Sequence, residues 1–437
     1  MENFGIPKGT RDLSSIEIKK RNYLIQIIRD KFEMFGFSPI ETPSFENLST
    51  LMEKYGKEGD YLIFKLLRSG EILKNISNKG LRYDLTVPFV RYVSMHRNEI
   101  TFPFKRYQIQ PVWRADNPQQ GRFREFYQCD ADMIGSQSVS SLWQEIDFFK
   151  LCDDIFNALN FSVIINVNHI DILKGLAEIS GIENHLWKYF IASLDKWKKM
   201  GKDVVKQEMI QQGISYKSFD KISSFFDIQE HFDKKIEILI NALKYSKTGI
   251  KGVKDISFIF KNMNNFSLKK IKLKWDISLS RGMNYYTGTI FEITAKDYQQ
   301  SIGGGGRYDK LSSYFGMKNF SGIGISFGLD RIYIYMENNN LFYIMPSKVL
   351  FINFGEREVI YAYRMISSLR DHGISTQLYP NAISIKKQFL YADKNNIPFT
   401  ISIGTKEIEN KKIKVKNINN RIEIEYDNLQ NVIKHLT

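Results

Sequence analysis

RYQIQPVWRADNPQQGRFREFYQCDAD, Arg106 to Asp132, is the stretch whose reading decides the fold. It reads as strand, loop, strand about a Pro-Gln-Gln-Gly turn, with Arg114, Arg122 and Arg124 around the loop. Past the turn, Arg124, Phe126, Gln128, Asp130 and Asp132 alternate with Glu125, Tyr127, Cys129 and Ala131. Side chains two apart on a strand share a face. One face therefore carries arginine, amide and carboxylates together, the wrong composition for a core. Cationic arginines suit a polyanion such as a nucleoside triphosphate. The amide and carboxylates suit a small ligand that donates hydrogen bonds. The plain alternative is an exposed hairpin of mixed, solvated charge.

The chain is 437 residues long, enough for two or three domains with full cores. Its 43% hydrophobic and 25% charged residues are ordinary for a globular protein. The formal net charge of +14 favours nucleic acid or an anionic surface as partner, against the plainer reading of a lysine-rich bias. Two cysteines, Cys129 and Cys152, cannot build a disulfide framework and fit a reducing cytosol. MENFGIPKGTRDL at the start has no apolar stretch of a signal peptide. No apolar run approaches the roughly 18 residues needed to span a bilayer, so no membrane association is expected. The six histidines show no zinc-ligand spacing and CxxC is absent, so no structural zinc is expected.

Outward from the central stretch, Ser14 and Glu17 have capping-box spacing before Ile16, Tyr23, Leu24, Ile27, Ile28 and Phe32, a helix closed by Gly36. FSPIETP, 37–43, runs extended. Residues 1–169 form the first part of a strand-rich core. Residues 170–255 are helical in period and rich in lysine, and read as an insertion. Strand patterning returns in 256–337, and Asn338 to Asn340 mark a polar break. Residues 346–437 alternate strand and helix and end in a lysine-rich hairpin, the pattern of a small α/β domain. That segment holds 14 lysines and arginines against 9 aspartates and glutamates, an excess of five.

Four further motifs carry chemistry. In LRYDLTVP, 81–88, Arg82, Asp84 and Thr86 alternate on a strand, and Asp84 and Thr86 suit an ammonium group. A surface strand ending at Pro88 is the alternative. In RGMNYYTGTIFE, 281–292, Tyr285 and Tyr286 offer an aromatic wall with hydroxyls, although such a pair before a strand also suits a core. In SIGGGGRYD, 301–309, four glycines leave backbone N–H groups unshielded, or make a flexible surface loop. GxxxxGK[ST] is absent there, so it is not a P-loop. In GIGISFGLDR, 322–331, Gly324 to Gly328 match the G-x-S-x-G nucleophile elbow. A hydrolase would need a downstream histidine, and only His372 and His435 follow, in the basic C-terminal segment. A strand feeding a helix that presents Arg331 to a phosphate fits better.

Taken together, these motifs resemble the histidyl-tRNA synthetases, class II aminoacyl-tRNA synthetases, along nearly the whole chain. PKGTRD, 7–12, is similar to the family's opening signature. FGFSPIETP, 35–43, resembles the dimerising motif 1, WRADNPQQGRFREFYQCDAD, 113–132, motif 2, and GIGISFGLDR motif 3. LRYDLT, RGMNYYTG and GGGGRYD resemble the histidine-specific signatures. The resemblance implies α/β and α+β domains: an antiparallel-sheet catalytic core, a helical insertion and a C-terminal α/β anticodon-binding domain. It also implies that Asp84 and Thr86 hold the ammonium end of L-histidine, with Gln128, Asp132, Tyr285 and Tyr286 in its pocket. Arg114 would grip the α-phosphate of ATP and the histidine carboxylate, with Arg281 opposite. Arg122 and Arg331 would bind the distal phosphates, Asp116 would contact ATP, and Gly304, Gly305, Gly306 and Tyr308 would form the pocket loop. Asn284 stands where the family usually has aspartate, and Asp116 where it usually has glutamate.

The implied reaction is formation of histidyl-adenylate and pyrophosphate from ATP, then transfer to tRNA(His), by a cytoplasmic homodimer. Magnesium would accompany ATP, with no metal held by protein ligands alone. The alternatives are a synthetase-like protein without catalysis, such as the regulatory subunit of ATP phosphoribosyltransferase, and a class II enzyme for another amino acid.

Overall fold

The computed structural model describes residues 5–52, 60–67, 76–136, 141–281, 285–298, 300–342 and 348–436; of Ile76, Ser77 and Lys199 only the backbone is described. Gly282, Met283 and Asn284 lie outside the described residues, and with them the Asn284 departure. The chain forms two compact units, Met1–Phe342 and Tyr343–Thr437.

In the first unit, eight strands make one sheet. They are β1 (Ser38–Pro39), β5 (Phe104–Trp113), β6 (Glu125–Ser136), β7 (Val163–His169), β8 (Ile271–Trp275), β9 (Thr289–Ala295), β10 (Ser301–Arg307) and β11 (Phe320–Gly328). Between β1 and β5, β2 (Phe45–Asn47), β3 (Lys65–Leu67) and β4 (Ile76–Leu81) make a separate small sheet. The large sheet runs β1-β5-β6-β11-β10-β9-β7-β8, antiparallel through the middle and parallel only at its two edge pairs. β5 and β6 are the strand–loop–strand expected from the sequence, in register from Phe104 opposite Ile134 to Trp113 opposite Glu125.

Alternation gives the sheet two unlike faces. Cys129 and Ala131 of β6, Ile323, Ile325 and Phe327 of β11 and Phe291 and Ile293 of β9 share one buried apolar cluster. The helix Ser15–Met34 supplies Leu24, Ile28 and Phe32 to that cluster. Its capping box between Ser14 and Glu17 forms as the spacing predicts. Phe32 packs its ring against Phe37, Tyr107 and Phe327, with centroids 5.6–6.2 Å apart. Burial of each such ring is worth about 1.5–3 kcal/mol. Burial also pushes the Cys129 thiol upward, as expected of an inert core cysteine.

Between β7 and β8 lies a run of helices from Ile170–Ser180 to Lys247–Met263. Leu173, Phe190, Phe219 and Val253 of these helices belong to the same cluster as the sheet. The helical run thus shares the core of the sheet, and it extends past residue 255 to Met263.

Two local expectations are corrected. LRYDLTVP is not a strand: β4 ends at Leu81, and Thr86–Met95 is a helix. Asp84 accepts from the Val87 N–H at 3.0 Å, satisfying a free donor of the first turn, and Pro88 falls where a helix needs no N–H. SIGGGGRYD is neither a loop nor a row of unshielded N–H groups. It is β10, an interior strand bonded to β9 and β11. Its glycines make room. A Cβ on Gly305 would overlap the Gly324 backbone and lie 2.8 Å from Phe291 Cζ, and one on Gly304 would overlap the Arg281 guanidinium.

The second unit is a five-stranded sheet in the order β13 (Thr376–Leu378), β12 (Val349–Phe351), β14 (Phe399–Ser402), β15 (Ile413–Asn417) and β16 (Glu423–Tyr426). Helices Glu356–Asp371 and Ile385–Lys394 match the sequence reading. Two helices, Thr405–Glu409 and Leu429–Leu436, were not anticipated. Phe351, Ile366, Ile401, Val415 and Val432 form its core.

We expect Gly305→Ala to destabilise the first unit by at least the ~1–3 kcal/mol typical of overpacking, because the obstacle is backbone. The denaturation midpoint measured in urea should fall; an unchanged midpoint would refute the close approach of β10 and β11.

Candidate functional site

The face of the sheet opposite the apolar cluster is polar across its middle strands. Gln128, Asp130 and Asp132 of β6 lie opposite Gln110, Gln108 and Arg106 of β5 and opposite Gly328, Ser326 and Gly324 of β11. The absent side chains of Gly324 and Gly328 leave a hollow over this face. The cleft measures about 310 Å³ and is walled by residues from the central stretch and from all four further motifs, with none from 7–12 or 35–43. Small-molecule sites are concave, with a few convergent polar groups.

One end of the cleft is cationic. Arg114, Arg122, Arg281 and Arg331 all line it. Arg114 follows β5, donates from Nε to the Tyr83 carbonyl at 3.1 Å and stacks 4.2 Å from the Tyr83 ring. Arg122 pairs with Asp116 at 2.8 Å. Arg331, in the first turn of the helix Leu329–Asn338, donates to the carbonyls of Gly121 at 3.0 Å and Ser301 at 2.6 Å. Its guanidinium is held below the usual arginine range by burial, and Arg114 and Arg122 repel it further. Arg281 donates to the Phe291 carbonyl at 3.2 Å, and its buried Nε has no hydrogen-bond partner among the described residues. Four guanidiniums converging on one cleft are the composition of an anion site.

The other end is an aromatic and carboxylate pocket. Asp84 sits just before the helix Thr86–Met95, with the Tyr285 hydroxyl 3.5 Å away. Tyr285 and Tyr286 pack with ring centroids 4.8 Å apart. The Tyr308 hydroxyl donates to Asp132 Oδ1 at 2.6 Å, and Arg106 pairs with Asp132 Oδ2 at 2.6 Å, both within the buried layer. Gln128 Nε2 donates to Ser326 Oγ at 2.6 Å, and buried Gln128 Oε1 has no hydrogen-bond partner among the described residues.

Of the residues proposed from sequence, Asp84, Thr86, Arg114, Asp116, Arg122, Gln128, Asp132, Arg281, Tyr285, Tyr286, Gly304, Gly305, Tyr308 and Arg331 all line the cleft. Gly306 does not; it lies under the Tyr286 ring, which a Cβ would approach to 3.0 Å. Arg124 also turns away. It donates to the carbonyls of Asp116 and Lys8 and fixes the N-terminal segment. Ser326 sits mid-strand opposite Gly304 and Asp130, not on a strand-to-helix elbow, which removes the nucleophile reading.

Sequence reasoning missed the supports. Asp330 is buried between Arg11 and Arg21 and accepts from the Tyr127 N–H at 2.9 Å, tying the N-terminal segment to β6. Arg307 makes a two-pronged pair with buried Glu145, at 2.8 and 2.7 Å. Asp330 sits beside Arg331 in the quoted motif, so its adjacency was a signal; Glu145 offered none.

The histidyl-tRNA synthetase family profile matches residues 9–332, and the anticodon-binding domain profile matches residues 348–436. Histidine--tRNA ligase of Christiangramia forsetii is 49% identical over 98% of this chain and 99% of its own length. That of Flavobacterium johnsoniae is 47% identical over 98% of each. The crystal structure of histidyl-tRNA synthetase from Nostoc superposes with a TM-score of 0.85 at 28% identity, covering 100% of this chain and 99% of that one. An ATP phosphoribosyltransferase regulatory subunit/histidyl-tRNA synthetase from Bacillus halodurans shares the fold at 19% identity and TM-score 0.73. With both profiles matched and near-full-length relatives at almost half identity, the chain belongs to the histidyl-tRNA synthetase family.

Proposed function

We propose that the cleft binds ATP at its arginine end and L-histidine at its carboxylate end, and joins them. The single observation that carries this is the convergence of Arg114, Arg122, Arg281 and Arg331 on one cavity with Asp84, Gln128 and Asp132. A histidine carboxylate oxygen attacks the α-phosphorus of ATP. The new oxygen–phosphorus bond forms as the bond to the β-phosphate oxygen breaks, and pyrophosphate leaves. No protein nucleophile takes part, so catalysis is alignment plus neutralisation of charge on phosphate oxygens. Arg114 and Arg281 are the catalytic residues, held by carbonyls and aromatic rings so that little reorganisation is needed. Arg122, Arg331 and Asp116 hold the nucleotide. Magnesium enters with ATP as part of the substrate, carried chiefly by phosphate oxygens and water.

Asp84 and Thr86 receive the ammonium group. Tyr285 and Tyr286 wall the ring, Asp132 accepts from the imidazole N–H, and Gln128 also contacts the amino acid. A side chain lacking that donor leaves a buried carboxylate unpaired, which is the basis of selectivity. The 3′-hydroxyl oxygen of tRNA(His) then attacks the carbonyl carbon of the adenylate and AMP leaves. The second unit, with its basic excess, recognises the anticodon, and charging takes place in the cytoplasm. The active form is a homodimer through the 35–43 segment. Exposed Phe45, Leu67 and Met95 supply apolar surface in the same unit.

Arg281→Ala should keep the fold and lower histidine-dependent ATP–pyrophosphate exchange by about 10²–10³. Unchanged exchange in a folded variant would remove Arg281 from the α-phosphate. Truncation after Phe342 should leave exchange largely in place and sharply reduce tRNA charging; equal charging by the truncated enzyme would refute anticodon recognition by the second unit. Light scattering should report twice the chain mass, whereas a monomer that still charges tRNA would contradict the dimer.

A further inference from the structure

Between the Gln128 and Asp132 rows of the polar face lies a row the mechanism does not use: Gln108 of β5, Asp130 of β6 and Ser326 of β11. Asp130 is 1% exposed and does not line the cleft. Gln108 and Asp130 are register partners, and Gln108 Oε1 and Asp130 Oδ1 are both buried with no hydrogen-bond partner among the described residues. Each buried acceptor left without a donor costs about 1–3 kcal/mol.

Turning the Gln108 amide does not remove the conflict. Arg82 Nη1 donates to Gln110 Oε1 at 3.1 Å, and the Thr42 N–H donates to it at 3.3 Å, so Gln110 presents its oxygen. Gln108 must then present its nitrogen to Gln110, and it also donates to Thr42 Oγ1 at 2.9 Å. The Gln108 oxygen is thereby turned away from Gln110 and Thr42. A proton on Asp130 satisfies both acceptors with one hydrogen bond.

We propose that Asp130 is a positioning residue for histidine. Protonated, it donates to Gln108 Oε1, and its bond with Ser326 orients the hydroxyl that receives Gln128 Nε2, fixing the amide of Gln128 in the wall of the cleft. Two carboxylates and one cation surround it. Arg106 on β5 is the cation of this layer, and its ion pair goes to Asp132. Asp132 on β6 and Asp84 before the helix Thr86–Met95 are both carboxylates that oppose a further negative charge. Burial raises the Asp132 carboxyl as well, but Arg106 and the Tyr308 hydroxyl favour its ionised form, so the shared proton is assigned to Asp130. Burial pushes the Asp130 carboxyl up to about 8, with Arg106 opposing and Asp132 reinforcing. Asp130 is therefore neutral below that pH and ionised above it. As pH rises through the window, the Gln108 bond is lost and a second charge appears beside Asp132.

The test rests on the histidine-binding reading and is separable from it. Absence of histidine-dependent exchange in the wild type at neutral pH would sink that reading; the variants below judge Asp130 alone. KM for histidine and kcat are measured between about pH 6.5 and 9 for wild type, Asp130→Ala and Asp130→Asn. At neutral pH, Asp130→Ala should raise KM by roughly three- to tenfold, the worth of one hydrogen bond, with kcat less affected, and Asp130→Asn should restore it. The alkaline rise in KM seen in the wild type should be smaller in Asp130→Asn. Titration of free histidine is common to both and cancels in the ratio. Superimposable KM profiles for wild type and Asp130→Asn, or an Asp130→Ala enzyme with wild-type KM, would overturn the proposal. Should Asp130→Asn fail to fold, infrared difference spectra of the wild type across the same range decide. A protonated-carboxyl band that disappears as pH rises supports the proposal, and no such band at neutral pH defeats it.

Discussion

Successive side chains of β6 point to opposite sides of the central sheet, and the rest of the site depends on that constraint. Cys129 and Ala131 are committed to the apolar cluster, so Gln128, Asp130 and Asp132 are committed to the other face. A shift of one residue would drive three polar side chains into the core and withdraw the Asp132 carboxylate from Tyr308 and Arg106. The register is pinned from both sides, by ten paired residues with β5 and nine with β11. Glycine at 324 and 328 opposite Asp132 and Gln128 then converts a flat sheet face into a cavity.

A polar face of this kind is expensive, and the buried ion pairs beneath and beside it are the compensation. Asp330 gathers Arg11, Arg21 and the Tyr127 N–H, so the N-terminal segment, the first helix and β6 meet at one carboxylate. Glu145 holds Arg307 at the end of β10, and Arg82 satisfies the carbonyls of Thr42, Pro43 and Pro111. Breaking one partner of such a buried pair typically costs about 3–5 kcal/mol. Of these groups only Asp330 reaches the wall of the cleft, yet together they set the strands that form it. The arginines at the cleft are anchored differently, through one or two carbonyls each, which leaves guanidinium edges for a ligand.

Much of this was legible in the sequence because it is written in short periods. The alternation after the Pro-Gln-Gln-Gly turn, the Ser14–Glu17 cap and the strand–helix alternation of the second unit are local patterns, and local geometry decides them. LRYDLTVP misled because Asp84 and Thr86 are two apart in either conformation. What settles the helix is a single side-chain bond from the Val87 N–H. GGGG misled because glycine usually marks a turn. Here it marks crowding by Arg281 and by neighbouring backbone, which only the assembled sheet creates. Glu145 and the protonation of Asp130 are also products of long-range packing, with no trace in their own neighbourhoods of sequence.

The central claim is that one cleft recognises histidine and activates it with ATP. Pyrophosphate exchange into ATP by the intact enzyme, run separately with each proteinogenic amino acid at one neutral pH, tests it most directly. The account predicts exchange with histidine and only background with the others, since the pocket sets a buried carboxylate and an amide around a ring walled by Tyr285 and Tyr286. Exchange driven by a different amino acid, or by none, would contradict it.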